Sequence, residues 1–232
     1  MPCQDREAYR LVDNADGGEA AIGIVCDGAG SALYSDLGAE IVSTTLRSTA
    51  AAFLSQYGSS AISAVDLREW IVDIREQVGR HATAQDAETR DYACTLLFIL
   101  ACDEHTICGQ IGDGAIIVKD QSDLHVPIWP DNGEYANQTF FITHDDSEAR
   151  LHVAKIGPIT DFVVFSDGLQ RIALDDAGKR AHPAFINPLI ATVRASDALE
   201  TTQAELERFL QSQRINARTD DDKSIVIACR IQ

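Results

Sequence analysis

Residues 93–119 read ACTLLFILACDEHTICGQIGDGAIIVK. Three apolar runs, Ala93–Cys102, His105–Ile111 and Ala115–Lys119, are separated by Asp103-Glu104 and Asp113-Gly114. Two polar residues between β-rich runs are a hairpin signal, so the stretch reads as an antiparallel meander. Outward from it, strands are predicted at Ala20–Cys26, Gln138–Ile142, Leu151–Ile156, Asp161–Phe165 and Ser224–Arg230. Helices are predicted over Ser35–Leu54, Val65–Thr83, Ala184–Arg194 and Asp197–Gln213. In the second of these, Leu67, Trp70, Ile71, Ile74 and Val78 recur at helical spacing and form one apolar stripe that faces a core. The resulting order is a strand, two helices, a run of strands, two helices and a last strand. Such segregation argues against a doubly wound parallel sheet and for an α+β arrangement with helices over the outer faces. The segment Asp120–Asn137, with Pro127, Pro130 and Asp131-Asn132-Gly133, is the most loop-like and reads as a flap beside a site.

The chain of 232 residues is long enough for one well-buried core and short for two. Its 45% hydrophobic and 24% charged content is that of a globular protein and excludes disorder, collagen and coiled coil. No apolar run approaches the roughly 20 residues needed to span a bilayer, and the first residues lack the basic and apolar regions of a leader. With 19 basic against 36 acidic residues the net charge is −17. A field of that sign disfavours nucleic acid and anionic membrane as partners and attracts divalent cations, although acidity for solubility alone explains it as well. Six cysteines show neither a C-x-x-C pair nor a zinc-like spacing, and most lie inside apolar runs. Buried, reduced thiols in a reducing cytoplasm are therefore expected.

Asp followed at once by Gly recurs at the ends of apolar strands: Ile24-Val-Cys-Asp27-Gly28, Gln110-Ile-Gly-Asp113-Gly114 and Val163-Val-Phe-Ser-Asp167-Gly168. A further acidic cluster, Asp220-Asp221-Asp222, precedes the last strand. Strand ends hold short carboxylates rigidly, and several brought together repel unless cations lie between them. Oxygen-only donors suit magnesium or manganese, whereas zinc would call for His or Cys. Two such ions can clamp a phosphoryl group for in-line displacement by water. Neither a G-x-S-x-G elbow nor a phosphate-binding G-x-x-x-x-G-K-[ST] loop is present. Each dipeptide also has a plainer reading. Asp113-Gly114 serves equally as a hairpin turn, Asp27-Gly28-Ala-Gly-Ser as the lead-in to a helix, and Asp167-Gly168 as a turn.

Taken together, these stretches resemble the metal-dependent type 2C (PPM) Ser/Thr protein phosphatases, in particular a compact bacterial branch. The resemblance runs nearly end to end. Cys3-Gln-Asp5 resembles the N-terminal acidic motif, Val25-Cys-Asp27-Gly28-Ala-Gly-Ser31 the first Asp-Gly motif, and Gly38-Ala39 the helix start after it. Ala93-Cys-Thr95 is similar to the strand that follows, Ile111-Gly-Asp113-Gly114 to the Gly-Asp motif, Ser166-Asp167-Gly168 to the Ser-Asp-Gly motif, and Asp221-Asp222-Lys-Ser224 to the closing motif. The resemblance implies a four-layer α-β-β-α sandwich of two antiparallel sheets with outer helices, formed as a single domain over residues 1–232 that need not contain the family's first strand. It implies hydrolysis of phosphoserine or phosphothreonine on proteins with two Mn²⁺ or Mg²⁺ ions. By motif position Asp27, Asp167 and Asp221 carry the chemistry, and Asp5, Asp27, the Gly28 carbonyl, Asp167 and Asp221 hold the metals. Gln4, Asp113 and Asp222 are further metal or supporting positions.

Several positions depart from the family pattern. Gln4 stands where many members have Glu, Arg171 stands where a carboxylate serves an additional metal, and Ala29 replaces a His used as a general acid. The family's phosphate-binding Arg falls ahead of residue 1, which leaves Arg6 or Arg10 to take that part. These departures keep a second reading open, a catalytically weak or inactive regulatory or binding module on the same fold, and a third, a phosphoesterase of small molecules. The implied partners are a phosphorylated protein and a cognate Ser/Thr kinase in the cytoplasm, with neither nucleic acid nor membrane.

Overall fold

In a computed structural model the chain, described over residues 3–121, 123–130 and 139–230, begins with the hairpin β1 (Arg6–Asp13) and β2 (Glu19–Cys26). Two long helices follow, α1 (Ser35–Tyr57) and α2 (Ala64–Ala84), then β3 (Leu96–Ala101), β4 (Thr106–Ile111), β5 (Ala115–Lys119), β6 (Leu124–His125), β7 (His152–Ile156) and β8 (Asp161–Phe165). The C-terminal part comprises α3 (Gln170–Ala173), a small hairpin of β9 (Leu174–Asp175) and β10 (Arg180–Ala181), α4 (Pro183–Arg194), α5 (Leu199–Leu210), α6 (Gln213–Asn216) and β11 (Ile225–Cys229).

The strands form two antiparallel sheets, ordered β1-β2-β3-β4-β7 and β11-β8-β5-β6. The period-two alternation of side chains sorts their residues into three cores. On β3, Leu96, Phe98 and Leu100 join the core beneath α1 and α2, whereas Leu97 and Ile99 join the core between the sheets. On β8, Phe162 and Val164 face the first sheet, and Val163 and Phe165 face the C-terminal helices. Both strands are therefore buried on both faces, which is why they read as unbroken apolar runs. The layers are helices, sheet, sheet, helices, as the family resemblance implied. The stripe Leu67, Trp70, Ile71, Ile74 and Val78 of α2 is buried in full. Ser63 starts that helix with a capping box, its Oγ accepting from the backbone N–H groups of Val65 and Asp66 while the Asp66 carboxylate accepts from Ser63 N–H.

Four sequence expectations need correction. Asp113-Gly114 is not a hairpin, because β4 pairs with β3 and β7 whereas β5 pairs with β8 and β6. It is a corner where the chain changes sheets, pinned by Gln110 Nε2, which donates to the carbonyls of Gly112 and Gly114 at 3.0 Å each. The strand expected at 138–142 is absent over the described residues 139–142. There Ile142 is buried and donates one backbone bond to the Cys94 carbonyl at 2.9 Å instead of joining a ladder. The helix expected over 197–213 is two, broken at Gln211-Ser212. Finally, β1 is a strand the apolar pattern did not show. The Gly133–Asn137 stretch, including most of the loop-like tip, lies outside the described residues.

Candidate metal centre

Antiparallel alternation decides where the acidic motifs go. Asp5 immediately precedes β1, Asp27 follows β2, Asp113 lies between β4 and β5, Asp167 lies two residues beyond the last of β8, and Asp221-Asp222 precede β11. Successive strands run up and down, so all of these positions fall at the same end of the sandwich.

Hydrogen bonds fix the strand ends against one another. Asp27 N–H donates to Thr95 Oγ1 at 3.0 Å, and Thr95 N–H returns a bond to the Asp27 carbonyl at 2.8 Å. Gly28 then makes an isolated bridge to Cys94. Between β8 and β11, Ser224 N–H donates to Ser166 Oγ at 3.0 Å and Ser166 N–H to the Ser224 carbonyl at 3.1 Å. Gln4 N–H donates to Asp222 Oδ2 at 2.7 Å, tying the start of the chain to the loop before β11. The glycines of two Asp-Gly pairs are required by this crowding. A Cβ on Gly28 would stand 2.6 Å from the Gln4 carbonyl oxygen, and one on Gly168 would stand 2.0 Å from the Asp222 carbonyl oxygen.

The carboxylates are buried and mutually repulsive. Asp5 is 3% exposed, and both of its oxygens, with Oδ1 of Asp167, are buried without a hydrogen-bond partner. Burial, then the charges of Asp222 and Asp167, pushes the Asp5 carboxyl up to about 6. Burial, followed by Asp5 and Asp167, drives Asp27 up far more strongly. Asp167 is raised by burial and by Asp113 and Asp221, and Asp113 by burial and by Asp221. Among the described residues no Lys, Arg or His side chain pairs with Asp5, Asp27, Asp113 or Asp167. An orphaned, cation-free set of oxygen donors fits hard divalent ions, which supply the missing positive charge. Among the described residues no three His, Cys, Asp or Glu side chains stand close enough together to hold a metal ion as placed.

The structure thus brings Asp5, Asp27 and Asp167 within electrostatic reach of one another, with Asp113, Asp221 and Asp222 around them. Asp221 is exposed and accepts Asp222 N–H on Oδ1 at 3.0 Å. Gln4 turns its side-chain amide away, donating from Nε2 to Ser35 Oγ at 2.7 Å. Arg6 donates from Nη1 to the carbonyls of Cys3 and Asp5 at 3.0 and 2.8 Å and lies 3.7 Å from Asp36. In that position it fixes the backbone that presents Asp5. Two supporting residues escaped the sequence reading. Ser35 holds Gln4, and Thr139 donates from Oγ1 to Asp113 Oδ2 at 2.7 Å. Ser35 was visible only as a helix start. Thr139 carried no signal, being 26 residues from its partner.

A double-layered sandwich that gathers buried carboxylates at one end without a basic partner matches a metal-assisted phosphatase, and comparison with known proteins sharpens that class. The sequence model of the family described as Protein phosphatase 2C matches residues 1–211, and the chain belongs to that family. It is 32% identical over 235 residues to Serine/threonine-protein phosphatase 3 of Escherichia coli (strain K12), covering 98% of this chain and 91% of that one. The serine/threonine phosphatase Stp1 from Staphylococcus aureus shares the fold at a TM-score of 0.63 and 16% identity, over 100% of this chain and 91% of Stp1. RsbX, solved in complex with magnesium, does so at a TM-score of 0.56 and 10% identity, over 98% and 87% of the two chains. Membership places the chain among the protein serine/threonine phosphatases, a family that uses divalent metal ions. No helix among the described residues is long and apolar enough to cross a membrane.

Proposed function

We propose that the chain hydrolyses phosphoserine and phosphothreonine on proteins, with two Mn²⁺ or Mg²⁺ ions held by Asp27, the Gly28 carbonyl, Asp167, Asp221 and Asp5. When bound, such ions supply neutralisation of the phosphoryl oxygens and a water whose proton is easily lost. The single observation that carries this reading is the set of buried carboxylate oxygens on Asp5 and Asp167 that have no protein partner. Asp27 sits between them in charge, and the Thr95 and Ser166 bonds hold the ends of β2 and β8 in place before substrate arrives. Asp113 and Asp222 are supporting acidic positions, and Arg6 orders the Asp5 backbone and is the nearest candidate to orient a phosphate. The P–O bond to the serine or threonine oxygen breaks as the water oxygen adds to phosphorus. The alcohol takes a proton from solvent, since Ala29 offers no acid. The natural substrates are phosphoproteins made by a cognate Ser/Thr kinase in the cytoplasm, a setting that the free thiols of the chain suit.

Release of phosphate from a phosphothreonine peptide, measured with and without Mn²⁺, tests the proposal. Metal-dependent turnover that disappears in Asp167→Asn supports it, and turnover that survives chelation removes it. Gln4 favours a second reading, a metal-poor regulatory module, because a neutral side chain committed to Ser35 stands where a carboxylate would add charge. Calorimetry separates the two: two Mn²⁺ events belong to the enzyme and none to the module.

A further inference from the structure

The outer C-terminal layer forms a cavity of about 580 Å³, open to solvent on one side, between α3, α4, α5, α6 and the outward face of β11. None of the site carboxylates described above lines it. Its walls are apolar, built from Phe185, Leu189, Leu206 and Phe209 over a floor that includes Ile172 and Ile215. The Phe185 and Phe209 rings pack against each other in this lining, their centroids 6.3 Å apart and tilted by 31°. Around this apolar lining stand three exposed guanidiniums, Arg171, Arg214 and Arg218, with His182 and a single carboxylate, Glu205. Among the described residues none of those three guanidiniums takes part in a hydrogen bond or an ion pair.

The charge is what makes the cavity unusual. The chain as a whole carries −17, with 36 acidic residues available as partners, yet three arginines gather here beside one acid and stay unpaired. Elsewhere among the described residues some exposed arginines hold an acidic neighbour, as Arg90, Arg180 and Arg230 do, and others, such as Arg10, Arg68 and Arg80, do not, so what sets this surface apart is the gathering of three around one apolar lining. A local positive field over apolar walls is complementary to one kind of molecule, an apolar body ending in an anion, and guanidiniums bind carboxylate and phosphate through paired hydrogen bonds. The volume lies within the roughly 300–1,000 Å³ of small-molecule sites. We infer that this cavity is a binding site for a small amphipathic anion, with a carboxylate or phosphate head on Arg171, Arg214 and Arg218 and its apolar body against Phe185, Leu206 and Phe209. The inference does not depend on the proposed phosphatase activity, since none of the carboxylates assigned to that chemistry lines the cavity.

Calorimetric titration of the full chain with decanoate, below its micelle concentration, tests the site. Decyltrimethylammonium and decanol serve as chain-matched cationic and neutral probes. Saturable one-to-one binding of decanoate, weakened at least about ten-fold in Arg214→Glu/Arg218→Glu and absent for decyltrimethylammonium, is the expected result. Leu206→Trp, which fills the cavity and leaves the arginines in place, is expected to abolish binding as well, and circular dichroism checks that both variants are folded. Equal binding of all three probes, no binding of decanoate, or unchanged affinity in the folded variants overturns the inference. So does saturation by an acidic amphipathic peptide where decanoate fails, which would assign the surface to a protein partner.

Discussion

Asp161 opens β8, and Asp167 lies two residues beyond its last, Phe165. The side chain of Asp161 is 0% exposed and is matched in full. Arg194 pairs with one oxygen, and Thr160 Oγ1 donates to the other at 2.8 Å. At the far end, Asp167 leaves Oδ1 buried without a partner, its neighbours are Asp5 and Asp27, and no basic side chain answers them. One strand therefore shows both treatments of a buried carboxylate. The closed end of the sandwich spends its arginines, Arg194 on Asp161 and Arg230 on Asp103, as permanent counterions. The open end keeps its acids uncompensated, which destabilises the fold locally and, under the proposed function, leaves the compensation to an exchangeable cation. Uncompensated carboxylates at one end, beside matched ones at the other, are what the proposed function requires of the open end and what acidity alone does not explain.

The largest effect expected from this contrast is at the open end. Asp27→Asn should lower Mn²⁺-dependent phosphopeptide turnover by at least about 1,000-fold, the scale of losing a preorganised electrostatic group. The same variant, metal-free at pH 7.5, should melt above wild type, because the folded chain no longer has to take up on this buried carboxyl a proton that the unfolded chain releases. A variant that loses activity and also stability would place Asp27 with the structural carboxylates instead. At the closed end the pattern should invert. Arg194→Ala strands Asp161 and should cost about 3 kcal/mol in urea unfolding while leaving turnover per folded molecule unchanged.

Gly168→Ala ranks next. Its new Cβ meets a carbonyl oxygen of the backbone, which cannot step aside as a side chain would, so the loop before β11 must move away from Asp167. A loss of about 2 kcal/mol is expected, within the range for overpacking. Turnover should fall with it, since Asp221 and Asp222 move with that loop. Retained activity with lost stability would show that the spacing of the two segments matters to folding alone.

Much of this was legible in the sequence, for a physical reason. Strands buried on both faces and the stripe of α2 follow from which residues avoid water, and that information is local. The Asp-Gly pairs marked the open end because a carboxylate at a strand terminus and a glycine at a close approach are both written within two residues. Pairing across the molecule is not local. Asp161 and Arg194 are 33 residues apart, and nothing in either neighbourhood announces the other. The corner at Asp113-Gly114 resembled a hairpin because both need the same turn chemistry, and only the partners of β4 and β5 tell them apart. As for β1, exposed Tyr9 and Leu11 on its outer positions blur the alternation that buried Ala8 and Val12 would otherwise show.

The smallest effect expected is a pH dependence, and it carries the sign of the contrast. The Asp5 carboxyl is raised from 3.8 to about 6 by burial and by its acidic neighbours. Between those values the folded, metal-free chain keeps a proton that the unfolded chain has released. Stability is then greater on the acidic side and falls as pH rises through the folded value. The depressed carboxyls of Asp66 and Asp175, held down by hydrogen bonds from Ser63 and from the Gly178 backbone, work in the opposite sense. They lose their contribution only as pH falls below the ordinary carboxylate range, so across pH 5 to 7 the raised, buried carboxyls set the slope, Asp27 with Asp5. Metal-free wild type should lose at least about 1 kcal/mol of unfolding free energy across that interval, and Asp5→Asn should lose distinctly less. Saturating Mn²⁺ should flatten the wild-type profile, because a bound cation stabilises the carboxylate form that the proton otherwise replaces. A metal-free profile that instead rises from pH 5 to 7 would mean that Asp5 is compensated within the protein, as Asp161 is, and the distinction between the two ends would fail at its most buried member.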